Sequence, residues 1–524
     1  MTLTELLAEA ADTWPGRVCL IDGEDTVTFR ELRQRASRAA ALFRRLGVGP
    51  GDAVAVWLPS SIAWVEIQFA LARIGAAAVA INTRFAVAEV ENLARRSRAS
   101  VLVLNSADGG PDLPERLVRL GHRFQRVVDC RPDGTVPGAV SYAETGVLAA
   151  DTVDTGTRDS VCTVFTSSGT TSRPKLVMHQ QDAVTAHARA AAPAFGYDEP
   201  GCVILAMLPI CGVFGFDTVM GGLAAGATMV TAGDFDAERI LDLVRLHQPI
   251  CTNGSDEMYR RIFRAARARG WTSLGSLRRG GFAAFSGDPE PLVTEGDALG
   301  FRLFGVYGSS EIQALAALRD HGASRAERVK AGGRPVTPEL RVRVRDIDTG
   351  ALCEPGQTGE LEFTGPSLSV GYLHDEARTA EDFTADGWFR SGDLGLLEPG
   401  GRFCFTGRRG DAFRLSGFLT SPREIETVIE GVPGVHGAQA VLIQVAGRDT
   451  LVAFVVPEPG AAAGGGVTVP GEAAIIAHCR DTMAGYKVPR RVLFIDAFPV
   501  TNSANGEKIQ RERLRQLALS ACAF

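Results

Sequence analysis

The sequence lacks the features of a membrane, nucleic-acid-binding or zinc-binding protein. The longest apolar stretch among its 524 residues, around "FALARIGAAAVAIN", is too short to span a membrane and contains Arg73. The formal net charge is -6 and no block of Lys or Arg is sustained, so neither nucleic acid nor an anionic membrane is an expected partner. The ten cysteines form no CxxC pair and have no histidines at ligand spacing. A zinc site and a disulfide framework are therefore not expected, and a reducing, cytoplasmic setting fits.

The amino terminus, "MTLTELLAEAADTWPGR", lacks the basic segment and the long apolar core of a targeting sequence, so none is expected. The hydrophobic fraction of 45% and the charged fraction of 22% are those of a globular protein. The length predicts roughly two to four domains of about 100 to 200 residues each.

The order of apolar runs and helical stretches predicts the fold class. Runs such as "DAVAVWLP", "SVLVLN" and "FRLFGVYG" alternate with helical stretches such as "AERILDLVRLHQ", which indicates an α/β protein with layered, largely parallel sheets. Thr28 and Glu31 form a capping box at the start of one helix, which Gly47 is expected to end. After the hairpin-like "GLLEPGGRFCFTGRR" the pattern changes. We therefore predict a large domain over residues 1–410 and a small one over 411–524.

The stretch "TSSGTTSRPK", Thr166 to Lys175, contains six hydroxyl side chains. It lies between the apolar run "VCTVF" and the helical stretch "DAVTAHARAAAPAF", so we expect it to join a strand to a helix N-terminus, where phosphate binds. Pro174 stands where the Walker A motif has its second Gly, so that motif is excluded. In isolation, a solvated Ser/Thr/Gly turn explains the stretch equally well.

Five further stretches follow in order: "VYGSSE", "GELEFTGPSLSVGY", "GWFRSGDLG", "GRRGDAFRLSGFLTSPREIE" and the region of Lys508. Together with the turn they resemble the adenylate-forming superfamily, specifically its acyl-CoA and aryl-CoA ligases. The resemblance covers nearly the whole chain. It implies a large α/β domain, a small mobile C-terminal α+β domain, and three cofactors or co-substrates: ATP (or a supplied acyl-adenylate), Mg²⁺ and coenzyme A. The implied reaction joins a carboxylic acid to AMP and then to the thiol of CoA.

The resemblance also implies roles for residues of the large domain. Glu311 is similar to the magnesium ligand and Ser310 to a residue that contacts the α-phosphate. Asp393 and Arg408 are similar to the two partners of the ribose hydroxyls, although a lone Asp in such a turn is more often a local backbone cap. The remaining nucleotide-binding candidates are Thr166, Ser167, Ser168, Gly169, Thr170, Thr171, Lys175 and Tyr307.

The predicted acyl pocket departs from the pattern of the family. Cys211 and Gly212 stand where an aromatic-His pair is common, and Gly281 and Gly308 also offer little bulk. We therefore expect a wide pocket for a bulky, largely apolar acid, unless opposing side chains refill it. Asp217 is similar to the amine-binding aspartate of amino-acid-activating domains, but the spacing that follows it suits acyl ligases.

The small domain carries the candidates Lys508, Gly417 and Asp411. The resemblance implies that Lys508 serves adenylation, that Gly417 faces the site during thiol attack, and that the domain rotates about Asp411 between the two steps. A solvated lysine before a basic helix is the alternative for Lys508. The loop "PVTNSANGEK" is longer than usual by about three residues, or roughly 10 Å of contour. Glu424 and Glu426 are assigned to a helix start at Pro422, outside the catalytic set.

These observations predict an enzyme, an AMP-forming acyl-CoA ligase. The first alternative is a ligase that performs only thioester formation from a supplied acyl-adenylate. A carrier-protein acylating ligase and a non-catalytic nucleotide-binding protein follow. The sequence names neither the acid nor the oligomeric state, and a homodimer stays open.

Overall fold

The structure is a computed structural model. It describes residues 1–107, 117, 124–131, 136–166, 174–284, 289–410, 413–415, 418–420, 422–445, 448–458, 470–503 and 506–522. For Arg414, Phe418, Leu419, 501–503 and 506–508 only the backbone is described.

The α-helices of the described residues are α1 (Leu3–Thr13), α2 (Phe29–Arg45), α3 (Ile62–Ile74), α4 (Val87–Ser97), α5 (Gln181–Ala194), α6 (Val213–Ala224), α7 (Ala237–His247), α8 (Asp256–Ala268), α9 (Pro289–Ala298), α10 (Arg325–Arg328), α11 (Glu376–Asp382), α12 (Pro422–Glu430), α13 (Glu472–Thr482) and α14 (Arg511–Cys522). In this part of the chain, none of the helices is both long enough and apolar enough to cross a membrane.

The strands up to the middle of the chain are β1 (Val18–Asp22), β2 (Asp25–Thr28), β3 (Ala53–Trp57), β4 (Ala77–Ala80), β5 (Val101–Leu104), β6 (Arg126–Asp129), β7 (Val140–Ser141), β8 (Val161–Thr166), β9 (Leu176–Gln180), β10 (Val203–Ala206), β11 (Thr228–Thr231), β12 (Cys251–Ser255), β13 (Arg279–Ala283) and β14 (Arg302–Ser309). The later strands are β15 (Gln313–Leu318), β16 (Gly332–Pro335), β17 (Arg341–Arg345), β18 (Gly359–Thr364), β19 (Phe389–Glu398), β20 (Arg402–Arg408), β21 (Phe413–Leu415), β22 (Phe418–Thr420), β23 (Val435–Val445), β24 (Arg448–Pro457), β25 (Arg491–Phe494), β26 (Val500–Ser503) and β27 (Gly506–Ile509).

Two large sheets form the first four-fifths of the chain. The seven-stranded sheet has the order β7-β6-β5-β3-β4-β8-β9, and its neighbours are parallel except for β8 and β9. The thirteen-stranded sheet has the order β17-β18-β19-β20-β16-β15-β14-β13-β12-β10-β11-β1-β2. It is parallel from β11 to β14 and antiparallel from β14 to β17. The α/β prediction is confirmed, with an antiparallel extension beyond β14.

Local signals placed the helix ends correctly where both partners are near in sequence. The Thr28 side chain accepts from the N–H of Glu31, whose carboxylate accepts from the N–H of Thr28, so the predicted capping box is present. Gly47 follows α2 with a φ of +88°, a left-handed conformation that glycine adopts readily. Pro422 is the first residue of α12, as predicted.

The last part of the chain has its own buried side chains. Its main sheet contains β23, β24 and β25, and α12, α13 and α14 pack beside these strands. Two core clusters are built from residues 413–522, while four others are built from residues 1–405. In the described parts of the chain, no core cluster mixes the two groups. The division between residues 1–410 and 411–524 stays a prediction.

Candidate active site

Two predicted phosphate-binding residues flank the segment that joins β8 to β9, which pair as an antiparallel hairpin. Thr166 is the last residue of β8, and Lys175 directly precedes β9. Thr166 pairs with Leu176, and this is the pair of the hairpin that lies nearest the connecting segment. The predicted ligands Ser167, Ser168, Gly169, Thr170 and Thr171 lie outside the described residues.

The expectation that this turn leads directly into a helix is wrong. Strand β9 runs antiparallel to β8 and fills Leu176–Gln180 before α5 begins at Gln181. Five strand residues span roughly 16 Å, so the N-terminus of α5 lies at the far end of the hairpin. Its first two N–H groups, of Gln181 and Asp182, donate to the carbonyls of Ser160 and Arg158 at 3.1 Å each. Phosphate binding here would depend on the turn itself and on Lys175.

A short segment, residues 369–373, connects this hairpin to Glu311. The N–H of Val370 donates to the carbonyl of Met178 at 3.0 Å, and the N–H of Met178 donates to the carbonyl of Gly371 at 3.0 Å. At the start of the segment, the N–H of Ser369 donates to the backbone carbonyl of Glu311 at 2.7 Å. The segment therefore fixes the turn of Glu311 against β9.

Lys175 lies between two carboxylates at this junction. Its Nζ is 2.6 Å from Oδ2 of Asp382 and 3.6 Å from Oε1 of Glu311. The hydroxyl of Tyr372 accepts from Lys175 Nζ at 2.9 Å and lies 2.6 Å from Asp382 Oδ2 and 3.0 Å from Glu311 Oε1. Glu311 is only 6% exposed. The structure thus brings together the predicted phosphate cation and the predicted magnesium ligand.

The charge on Asp382 is stabilised by its neighbours. Burial acts to raise the pKa of Asp382, but hydrogen bonds from Lys175, Tyr372 and Arg378 outweigh it, so the pKa lies below its ordinary value. Arg378, four residues earlier on α11, lies with Nη2 3.0 Å from Asp382 Oδ1. Asp382 is therefore a carboxylate with a cation on each oxygen.

The predicted ribose partners also meet. Asp393 on β19 is the cross-strand neighbour of Arg408 on β20, and their side chains are 2.9 Å apart from Oδ1 to Nε. Tyr307 at the end of β14 donates its hydroxyl to Asp393 Oδ2 at 2.6 Å. The carboxylate is 2% exposed. Burial, followed by the charge of Asp393, raises the pKa of Tyr307 well above its ordinary value, so its hydroxyl remains a donor.

A local-cap role for Asp393 does not fit these contacts. Ser391 performs that role, because its Oγ accepts from the N–H of Asp393 at 3.0 Å and donates to the carbonyl of Leu361 at 2.6 Å. The Asp393 carboxylate instead reaches Tyr307, which is 86 residues away in the sequence. This long-range use of the side chain supports a role in the site.

His179 holds the Ser310–Glu311 turn from behind. Its Nε2 is 2.6 Å from the carbonyl of Ser310, and its Nδ1 is 3.1 Å from Nε2 of Gln313. Since the carbonyl can only accept and the amide nitrogen can only donate, His179 carries its proton on Nε2. Burial lowers the pKa of His179 to about 4, which keeps the ring neutral. Gln313 itself adopts a φ of +72°, an unusual conformation for a residue with a side chain.

The small residues predicted at the acyl pocket stand in two different environments. Cys211 and Gly212 follow β10 at its carboxyl end, and Gly212 is the N-cap of α6. Cys211 is buried, and this burial raises the pKa of its thiol to about 12, so it acts as a small apolar side chain. Parallel sheets bind ligands at this edge, and Ser309 ends β14 on the same edge of the thirteen-stranded sheet.

Gly281 and Gly308, in contrast, are already closely packed. A Cβ at Gly281 would lie 2.5 Å from Oδ1 of Asn253 and 2.8 Å from Cγ1 of Val306. At Gly308 a Cβ would lie 2.3 Å from the carbonyl oxygen of Gln313. The expectation that these glycines widen the pocket is therefore wrong in the structure, because neighbouring atoms occupy the room that the missing side chains leave.

Asp217 is engaged with the backbone of β15. Its Oδ2 accepts from the N–H of Ala314 at 2.6 Å, and His187 on α5 lies 3.6 Å away through Nε2. Asp217 and His187 are fully buried. This contact gives Asp217 a structural partner, and the interpretation that the substrate is not an amino acid stays a prediction.

The C-terminal candidates are described less completely. Asp411 and Gly417 lie outside the described residues, as does the side chain of Lys508. The backbone of Lys508 belongs to β27 and pairs with Thr501 in a two-stranded hairpin. Glu426 accepts from the N–H of Ala440 at 2.9 Å and pairs with Arg511 at 2.6 Å, so its exclusion from the catalytic set agrees with its contacts.

Four side chains at the site were not singled out from the sequence: Tyr372, Asp382, His179 and Gln313. Tyr372 is the last residue of the motif "GELEFTGPSLSVGY", so that motif could have indicated it. Asp382 meets Lys175 across 207 residues, and no local pattern marks that contact.

The donor set fits a magnesium ion that arrives with nucleotide phosphates. Such an ion needs one or two carboxylates and keeps several waters, and Glu311 supplies a carboxylate beside the phosphate cation Lys175. Within the described ranges, no group of three or more His, Cys, Asp or Glu side chains could hold a metal by itself. Glu311 would therefore hold the ion together with the phosphates.

Comparison with known proteins agrees with this arrangement. A family described as AMP-binding enzyme matches residues 7–373, and the AMP-binding enzyme C-terminal domain matches residues 424–505. The 3-hydroxybenzoate--CoA ligase of Aromatoleum sp. is 30% identical over 522 residues, covering 95% of this chain and 93% of that protein. The 3-[(3aS,4S,7aS)-7a-methyl-1,5-dioxo-octahydro-1H-inden-4-yl]propanoyl:CoA ligase of Mycobacterium tuberculosis is 29% identical and covers 96% of both chains.

The same fold occurs in the crystal structure of ATP-bound MatB from Rhodopseudomonas palustris. That structure superposes with a TM-score of 0.84 at 24% sequence identity and covers 99% of both chains. The first family match alone spans well over half of the sequence. The chain therefore belongs to the family of AMP-binding enzymes.

Proposed function

We propose that this AMP-forming acid-thiol ligase activates a bulky, largely apolar carboxylic acid with ATP and Mg²⁺ and transfers it to CoA. The observation that carries the substrate class is the pair Cys211 and Gly212, two small residues side by side at the carboxyl end of β10. The names of the two relatives support it, since one acts on 3-hydroxybenzoate and the other on an octahydro-indenyl propanoate.

Each step has residues suited to it. Thr166, the following turn and Lys175 would hold the triphosphate, and Asp393 with Arg408 would hold the ribose. Glu311 would hold Mg²⁺, which neutralises phosphate charge as pyrophosphate leaves. Lys508 would stabilise the charge of the adenylation transition state, and Gly417 would line the path of the CoA thiol. We propose that residues 411–524 turn about Asp411 between the steps.

The pocket is tested by restoring bulk at one position. Gly212→Trp should lower turnover of bulky ring acids much more than that of small acids, because overpacking a site costs about 1 to 3 kcal/mol. The measurement is CoA-thioester formation with a panel of acids of graded size. Gly146→Trp, at an exposed position of the short 3₁₀ helix Tyr142–Val147 where a Cβ meets no atom within 4 Å, is the control and should leave the selectivity unchanged. An equal loss for large and small acids would contradict the wide pocket.

One specific observation keeps a second function in view. The lengthened loop before Lys508 is taken up by the β26–β27 hairpin, in which Ser503 pairs with Gly506. If this hairpin holds Lys508 away from the acyl-phosphate, the enzyme performs only thioester formation from a supplied acyl-adenylate. Pyrophosphate exchange by the unmodified enzyme with its acid would exclude that function.

A further inference from the structure

Lys175, the cation assigned to the triphosphate, already has an anionic partner that the proposed mechanism does not use. Asp382 Oδ2 lies 2.6 Å from Lys175 Nζ, a full ångström closer than Glu311 Oε1 at 3.6 Å. Both side chains are largely buried, with 20% of Lys175 and 10% of Asp382 exposed. An ion pair so shielded from water is weakened little by salt.

The contact is held in place from several sides. Tyr372 lies with its hydroxyl 2.6 Å from the same oxygen of Asp382, and its ring lies under Lys175 Nζ at 4.7 Å. The backbone of Tyr372 is fixed by the bridge to Val177 on β9. Asp382 is the last residue of α11, and that helix is capped by Asp375, whose side chain accepts from Arg378 N–H. The acid is therefore presented to Lys175 by ordered elements.

A triphosphate and Asp382 need the same ammonium group. Lys175 has three N–H donors, which Asp382 and Tyr372 engage in part. A phosphate that approaches Lys175 also approaches the Asp382 carboxylate, and like charges at such a distance repel each other strongly away from water. Arg378 remains bound to Oδ1 when Lys175 leaves, so the exchange does not strand a buried charge.

We propose that Asp382 competes with the polyphosphate for Lys175, so that it sets the affinity for ATP and helps to release pyrophosphate after adenylation. This inference rests on the proposed role of Lys175 in phosphate binding. It separates two classes of ligand. Ligands with β- and γ-phosphates, or pyrophosphate itself, must displace Asp382, whereas AMP and acyl-adenylate lack those phosphates and should not need to.

The test is a set of binding titrations with the full-length protein. Asp382→Asn keeps the shape of the side chain and removes its charge. Calorimetry with magnesium pyrophosphate and with Mg²⁺ and ATP should show binding that is tighter by roughly three- to thirtyfold, the range for removing one nearby like charge. The affinity for AMP should stay within about twofold. Asp382→Ala should shift the same two ligands in the same direction, which covers a folding defect particular to one variant.

A matched control lies one residue away. Glu381→Gln removes a carboxylate that also pairs with Arg378, at 3.0 Å, but that does not contact Lys175 in the structure. It should leave all three affinities unchanged. If Glu381→Gln tightens pyrophosphate binding as much as Asp382→Asn does, the effect is general electrostatics and the inference is overturned.

Lys175→Met separates this inference from the proposed function. If Lys175→Met weakens pyrophosphate binding while both Asp382 variants bind it no more tightly than the unmodified protein does, only the role of Asp382 is overturned. If Lys175→Met leaves pyrophosphate and ATP binding unchanged, the phosphate role of Lys175 fails and the inference fails with it.

Discussion

Asp393 is the residue on which the proposed nucleotide site depends most directly. Asp393→Ala should weaken binding of ATP and of acyl-adenylate alike, by about 1 to 3 kcal/mol, because it removes an acceptor and leaves buried hydroxyls unpaired. Titration with ATP and with a non-reactive acyl-adenylate analogue measures both affinities. Tyr307→Phe removes the donor to Asp393 but keeps its carboxylate, and should have the smaller effect. Unchanged affinity for both ligands would remove Asp393 from the site.

His187 makes the stability of the protein depend on pH. Burial, and then the nearby His179, lower the pKa of His187 from 6.5 to about 3, and neither ring nitrogen has a hydrogen-bond partner among the described residues. The unfolded chain therefore binds a proton more readily, so stability is lost as the pH falls from 6.5 towards 3. At pH 5 the contribution of His187 alone to this loss is about 2 kcal/mol. Asp217 lies 3.6 Å away, and burial raises its pKa well above the ordinary value, so its contribution has the opposite sign.

His187→Met should reduce this acid sensitivity. Thermal unfolding at pH 7 and at pH 5 should show a smaller drop in Tm between the two values than the unmodified protein shows. His436→Gln, which changes an exposed histidine on β23, serves as the control and should keep the full drop. An undiminished drop in His187→Met would show that other groups cause the acid sensitivity.

The single residues divide clearly into those that the sequence could predict and those that it could not. Asp393, Lys175 and Glu311 were predicted as site residues because each belongs to a short motif of the family that the sequence resembles. The contacts that define their chemistry are not local, since Asp382 is 207 residues from Lys175 and Tyr307 is 86 residues from Asp393 in the sequence. For the same reason, the sequence does not show that Asn253 and Val306 occupy the space beside Gly281.

The turn between β14 and β15 contains Ser310 and Glu311, and its geometry depends on close backbone packing. Gly308→Ala would place a Cβ 2.3 Å from the carbonyl oxygen of Gln313, so β15 must move away from β14. We expect a loss of stability of about 1 to 3 kcal/mol and a larger loss in adenylation than in thioester formation, because Glu311 moves with the turn.

Chemical denaturation and the two half-reactions measure these effects separately. Gly146→Ala is the matched control, because a Cβ there meets no atom within 4 Å. Its stability and both rates should equal those of the unmodified enzyme. If Gly308→Ala is as stable and active as Gly146→Ala, the turn tolerates displacement and its packing does not position Glu311.

Among the elements, the long periodic helices were predictable and the short strand β9 was not. Five residues, "LVMHQ", give too brief an alternation to be separated from the helix that follows without a break at Gln181. What makes these residues a strand is pairing with β8 on one side and with residues 370–373 on the other. Neither partner can be identified from the five residues themselves.

The two separate groups of core residues are relevant to the proposal that Lys508 and Gly417, both in the small domain, serve different half-reactions. Lys508→Ala should lower adenylation by at least about a hundredfold, the scale for losing one charge-stabilising donor, and should leave CoA attack on a supplied acyl-adenylate nearly intact. Gly417→Leu should do the reverse by obstructing the thiol. Pyrophosphate exchange measures the first step, and thioester formation from the acyl-adenylate measures the second.

Parallel losses in both steps for either variant would contradict alternation of the small domain. If the unmodified enzyme converts acyl-adenylate to the CoA thioester but shows no pyrophosphate exchange, it is the ligase that performs only thioester formation. The sequence predicts a division near this point because its pattern changes after "GLLEPGGRFCFTGRR", and the core clusters on either side reach residue 405 and begin at residue 413. The rotation proposed for residues 411–524 would depend on long-range contacts that no local pattern encodes.

The short contact between Lys175 and Glu311 crosses from one large sheet to the other. Lys175 leads into the seven-stranded sheet and Glu311 follows a strand of the thirteen-stranded sheet, and their 3.6 Å separation is maintained where residues 369–373 tie β9 to the turn. The geometry of the candidate site therefore depends on how the seven-stranded and the thirteen-stranded sheets are aligned. We therefore expect a buried substitution that shifts either sheet by a fraction of an ångström to lower the rate of adenylation, even where it contacts no residue of the site. A loss of activity in this enzyme would then indicate a change in packing far from the site.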